Sequence, residues 1–132
     1  MKRFHLIFGV TVLVVFLLTG QYMDRVHNHL MYMPDGPRML YRTRHIFILM
    51  SGLVHLGIGS YFRYQWTTVR RVLQMVGSIL ITVAPVLFTI AFFYEPRLEE
   101  LHAPLSLAGM IMIAVGTLLH LFSGVGRRDE SV

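Results

Sequence analysis

Apolar residues run along this chain in four unbroken blocks, at 4–23, 45–62, 72–94 and 101–126, and none of them contains Asp, Glu, Lys or Arg. The blocks are 20, 18, 23 and 26 residues long, together 87 of 132. A bilayer core about 30 Å thick takes about 20 mostly apolar residues of helix. Each block therefore predicts a transmembrane helix, apolar on all sides rather than along one stripe. The expected fold is an all-α, four-transmembrane-helix antiparallel bundle of up-down-up-down order. It forms one integral membrane domain over 1–132, with spans at 4–22, 45–63, 72–94 and 102–124.

Composition sharpens this. The chain is 55% hydrophobic and 14% charged, against about 25% charged for soluble domains. In lipid each helix satisfies its own backbone hydrogen bonds, so four such helices need no large soluble core. The net charge of +5 does not point to nucleic acid, because the basic residues gather at helix ends rather than along one face. There is no cysteine, which removes disulfides, thiol catalysis and iron–sulfur clusters. Lys2 and Arg3 before an apolar run resemble a signal peptide. The stretch 18–21 (Leu-Thr-Gly-Gln) is a poor small-x-small cleavage site, so 4–21 reads as a retained first span.

Four spans place both termini on one side of the membrane. That side collects Lys2, Arg3, Arg63, Arg70, Arg71, Arg127 and Arg128, and the other Arg25, Arg38, Arg42, Arg44 and Arg97. Seven cations against five favours cytoplasmic termini under the positive-inside rule, and the cytoplasmic membrane of a bacterium is the expected location. The 63–71 connection mixes Tyr64 and Trp66 with arginines, an interface anchor. The turn at 95–100 is short and acidic, so helices three and four should be antiparallel neighbours. The connection at 24–44 is 21 residues, a longer outer loop between helices one and two, and long loops are often functional. Its Pro34-Asp35-Gly36-Pro37 run signals a turn. Residues 38–44 then read as an amphipathic run in the headgroups, leading into helix two.

Small and polar residues inside the spans mark packing faces. Ser51, His55 and Gly59 stack four apart on helix two; Ser106, Gly109, Gly116 and Thr117 lie roughly on one face of helix four. Helix three carries Ser78, Thr82, Pro85 and Thr89. Pro85 removes a backbone donor and predicts a kink, with the threonine hydroxyls available to the freed carbonyls. Residues 51–59 and 116–124 are alike, each with His-Leu and a Gly four after the His, so a parallel two-hairpin repeat is conceivable.

The seven histidines carry the candidate chemistry. His55, ten residues into its block, is expected about 15 Å deep. An ionisable group at that depth is a functional-site candidate, against a neutral imidazole bonded to a neighbouring helix. Haem b held by two axial histidines is one reading, with His45 and His102 paired near the outer face or His5 and His120 near the inner. A copper site is another: His27, His29, Met31 and Met33 alternate imidazole with soft thioether sulfur, although methionines at an interface can equally bury as packing. No nucleophile–base motif, phosphate loop or zinc motif is present, and no carboxylate lies within a span to serve proton-coupled transport. The pattern thus predicts a non-catalytic accessory subunit or binding module in contact with the lipid bilayer, as a homo-oligomer or part of a larger membrane complex. The alternative is a haem b or copper protein of electron transfer or metal handling.

Overall fold

The computed structural model describes residues 1–63, 67–98 and 103–124. Among these the chain is all helical: α1 Lys2–His27, α2 Asp35–Tyr61, α3 Thr68–Tyr94 and α4 Pro104–Gly124, with one-turn segments at Asn28–Leu30 and Glu95–Arg97. Three helical stretches, Lys2–Leu30, Thr68–Arg97 and Pro104–Gly124, are long and apolar enough to cross a membrane. The expected fourth, α2, has the length but carries Asp35, Arg38, Arg42 and Arg44 in its first turns.

The outer connection differs most from expectation. Charges mark where lipid ends, not where a helix ends, and both helices run on past them. α1 continues to His27 and α2 already starts at Asp35, which leaves residues 28–34 as the connection. Pro34 caps α2 and Pro37 falls in its first turn, where a missing N–H costs nothing. The proline-rich run is thus a helix start, and Arg38, Arg42 and Arg44 are helical. The connection itself is tight. Asn28, His29 and Leu30 have φ of 47°, 57° and 62°, a left-handed turn that costs about 1–2 kcal/mol per residue. Burial of the Leu30 side chain in the core opposes that cost. So do two turn hydrogen bonds, from Met31 N to Asn28 O at 3.1 Å and from Met33 N to Leu30 O at 3.3 Å.

α3 is the centre of the bundle. It packs most extensively on α4 and also on α2, while α1 packs mainly on α2. Phe88 and Phe92 of α3, with Ile48 of α2 and Ile81 of α3, are fully buried, and Phe88 meets Phe47 of α2 with ring centroids 5.3 Å apart. α3 and α4 touch at backbone distance. A methyl on Gly77 would sit 2.8 Å from the Gly116 carbonyl oxygen, and one on Gly116 would sit 2.9 Å from that of Gly77. Only glycine permits this crossing. Outward, every helix keeps apolar side chains exposed, among them Ile7 and Leu17 of α1, Leu53 of α2, Ile79 of α3 and Leu107 of α4. This is the reverse of a soluble bundle.

The contacts join opposite ends of consecutive helices. His5 near the start of α1 meets His55 in the last two turns of α2 and Ser78 in the first half of α3. Arg44 in the first half of α2 meets Glu95 just after α3. The end holding His5 and His120 is called proximal below, and the other distal.

Candidate functional site

Each helix contributes one polar residue to a buried centre at the proximal end: His5 from α1, His55 from α2, Ser78 from α3 and His120 from α4. Their positions follow from helical spacing. His5 shares a buried face with Gly9 and Val12, His55 with Ser51 and Gly59, and Ser78 with Gln74, Ile81 and Pro85. His120 follows Gly116 by four on the face of α4 that meets α3. His5 and His55 are fully buried and Ser78 almost so.

The hydrogen bonds form one chain. His55 Nε2 lies 3.1 Å from the Ile81 carbonyl oxygen, the His5 and His55 Nδ1 atoms are 2.9 Å apart, and Ser78 Oγ is 3.1 Å from His5 Nε2 and 3.0 Å from His120 Nε2. A carbonyl only accepts, so the polarity can be assigned from that end for neutral rings. His55 Nε2–H donates to Ile81. Its Nδ1 is then bare and accepts from His5 Nδ1–H. His5 Nε2 accepts from the Ser78 hydroxyl, whose oxygen accepts from His120 Nε2–H.

The start of this chain is set by Pro85. A proline lacks the N–H that would bond to the carbonyl four residues back, and that carbonyl belongs to Ile81. The expectation that threonine hydroxyls take up the slack is not met there. Thr82 donates to Ser78 O at 2.7 Å and Thr89 to Pro85 O at 2.7 Å, and the Ile81 carbonyl goes to His55.

His55 lies six residues before the end of α2 at Tyr61, about 9 Å along the helix from that end at 1.5 Å per residue. Phe8 packs on its ring at 4.7 Å, and Phe62 lies 6.0 Å from both His5 and His120. A cleft of about 260 Å³ opens beside the centre between the ends of α2 and α4, lined by Phe62, Arg63, Gln74, Thr117 and His120. A second, of about 230 Å³, opens sideways between α1 and α3 and is lined by Met1, Phe4, Ser78, Ile79, Thr82 and Val83.

The structure brings His5 and His120 together, as the inner pairing anticipated, but both bond to one hydroxyl. Their rings stand edge to face at 6.0 Å, not opposed across a slot. His5 spends one nitrogen on His55 and the other on Ser78, so the imidazole nitrogens do not converge on a point. Among the described residues no group of three or more His, Asp or Glu is arranged to hold a metal ion. His45 stacks on Phe16 at 4.0 Å and bonds through Nδ1 to Thr19 Oγ1 at 2.9 Å; its anticipated partner His102 lies outside the described residues. His27, His29, Met31 and Met33 divide between two sides. His27 lies against Tyr22 and Tyr41 and Met33 packs on the core, while His29 faces outward 2.7 Å from Asp24 and Met31 is exposed.

Two arrangements are absent from the linear reading. The first is the hydrogen-bonded pair of Ser78 and His5, 73 positions apart, which no motif in the sequence announces. The second is a distal ion pair. Glu95 is fully buried and accepts from Arg44 Nε at 2.8 Å, Ser106 Oγ at 2.6 Å, and the backbone N–H groups of Leu105 and Ser106 at 2.9 and 3.0 Å. Its carboxylate thus occupies the N-terminus of α4, where orphan donors and the helix dipole favour an anion. The one signal in the sequence is a pair of opposite charges, Arg44 and Glu95, each bordering an apolar block on the same side.

No family model matches this chain, and no curated protein or solved structure matches it either.

Proposed function

We propose that this is a four-span integral membrane protein of up-down-up-down order that serves a larger membrane assembly as an accessory or binding module, in the cytoplasmic membrane of a bacterium with both termini inside. The observation that carries the reading is the inside-out build: apolar side chains cover the outside of all four helices, while polar side chains tie them together within. Such a surface is at rest only in hydrocarbon or against another apolar surface.

The fourth crossing is supported by a parity argument. His5 near the start of α1 and His120 near the end of α4 are neighbours. Each crossing reverses the side, so an odd number of spans would put them on opposite faces. With α1, α3 and α4 crossing, α2 crosses too. The proximal cleft, closed by His120 and open at the end of the bundle, is the natural seat of a ligand or of a partner's side chain.

The test is isolation from native membrane in mild detergent. A partner chain at fixed stoichiometry, or a homo-oligomer, is the expected result. A monodisperse monomer that copurifies with nothing overturns the reading.

A further inference from the structure

We infer that Ser78 is an activated nucleophile for acyl transfer, and that its substrate is a long-chain acyl ester of the bilayer entering between α1 and α3. This goes beyond the accessory reading and does not depend on it. The roles follow from the hydrogen-bond chain. A serine needs a base within reach and a third group that holds the base. Here His5 Nε2 is the base, 3.1 Å from Ser78 Oγ, and His55 is the positioning residue, 2.9 Å from the other face of His5 and itself fixed on the Ile81 carbonyl. His120 Nε2–H lies 3.0 Å from the same oxygen and holds it in place, so that the hydroxyl proton faces His5.

Access comes from two sides. Ser78 lines the lateral cleft, whose other walls are Met1, Phe4, Ile79, Thr82 and Val83, an apolar opening toward the surrounding lipid that suits an acyl chain and no charged substrate. His120 lines the proximal cleft, whose mixed lining sets Arg63, Gln74 and Thr117 beside Ile58, Phe62 and Leu121, and the deacylating water enters there along the polar side chains. Ser78 and His120 join the two.

The step balances without a co-reactant other than water. Ser78 Oγ adds to the ester carbonyl carbon as its proton moves to His5 Nε2. Collapse breaks the ester C–O bond, and the departing alcohol takes the proton from His5, leaving an acyl-serine. Water then gives a proton to His5 and adds to the acyl carbonyl. The Ser78 oxygen leaves and recovers the proton, and the fatty acid is released.

The full chain in lipid nanodiscs is treated with dodecyl fluorophosphonate, and the labelled peptide is located by mass. Label on Ser78 is expected in the wild type. It should be absent in Ser78→Ala, slowed about 100-fold in His5→Gln, the low end of what a general base contributes, and retained in His45→Gln, which alters a distal histidine only. Hydrolysis of p-nitrophenyl laurate should exceed that of p-nitrophenyl acetate, and His55→Gln should lower kcat with KM held. Wild-type protein without label on Ser78, or His5→Gln labelled at the wild-type rate, overturns the nucleophile. Acetate turned over as fast as laurate overturns the lipid substrate, and His55→Gln acting on KM alone overturns the positioning role. The wild-type label decides the main point without reliance on the folding of any variant.

Discussion

Loss of one backbone N–H at residue 85 leaves the Ile81 carbonyl without its helical donor, and His55 supplies a replacement from the neighbouring helix. That single substitution of partners fixes the tautomer of His55, and through it the proton position on His5 and the direction in which the Ser78 hydroxyl points. Pro85→Ala therefore makes a sharp test. The restored N–H competes for Ile81, which recovers about 3 kcal/mol of helix propensity against about 1 kcal/mol for the displaced hydrogen bond. Thermal stability in detergent should hold or rise. The ¹⁵N spectrum of His55 should no longer show one fixed Nε2–H tautomer, and an unchanged spectrum would refute the assignment. None of this could be read from the residues alone. Pro85 announced a freed carbonyl and His55 announced a buried polar group, but the sequence does not say that the two meet, because 26 positions separate His55 from Ile81 and only packing sets their registry.

Between elements, two contacts hold α3 and α4 together by opposite means. At the proximal half they meet by subtraction of side chains, at Gly77 and Gly116. Gly77→Ala must push the helices apart, since the new methyl meets backbone rather than a flexible side chain, and should cost about 1–3 kcal/mol. Gly57→Ala is the control, because nothing lies within 4 Å of a methyl there. Equal melting temperatures for the two variants would show that the crossing is not close. At the distal end the means is charge. Arg44→Met strips the cation from a buried carboxylate that still holds Ser106 and the α4 N-terminus, and should cost about 3–5 kcal/mol. Arg44→Met combined with Glu95→Gln should recover most of that, because a neutral amide oxygen can still accept from α4. If the double variant is no more stable than the single, burial of the charge is not the cause. Small residues on one face of helix four made half of the first contact legible in advance: Gly109 and Gly116 are buried as their shared face implied, while Gly77 of α3 stood outside the residues expected to pack. The second was not, since a charge beside an apolar block looks like a solvated helix end whether or not it folds inward. The extent of α2 was misjudged on the same ground, with helical Arg38, Arg42 and Arg44 assigned to a loop.

For the whole molecule, orientation rests on charge and crossing number on geometry, and the two can be tested apart. The proximal end gathers Lys2, Arg3, Arg63, Arg70 and Arg71, the distal end Arg25, Arg38, Arg42, Arg44 and Arg97. Arg44 is neutralised within the bundle by Glu95 and lies buried beside it. It does not sit in the headgroups as a free cation, so it weighs less in the count than its position in the sequence implies. Asp24, Asp35 and Glu95, the acids among the described residues, all belong to the distal end. With Arg44 set aside, the proximal end leads in Lys and Arg among the described residues, the count that favours its retention in the cytoplasm. Reporter fusions placed before Met1, within 31–33, within 64–66 and after Val132 should read inside, outside, inside and inside, the last two separated by the hairpin of α3 and α4. If α2 lies on the membrane surface instead of crossing, the second and third reporters fall on the same side. That result would set the bilayer between His5 and His120, against their 6.0 Å ring separation, and would overturn the four-crossing reading. Were the pattern uniformly reversed, the orientation would be wrong and the crossing number would stand.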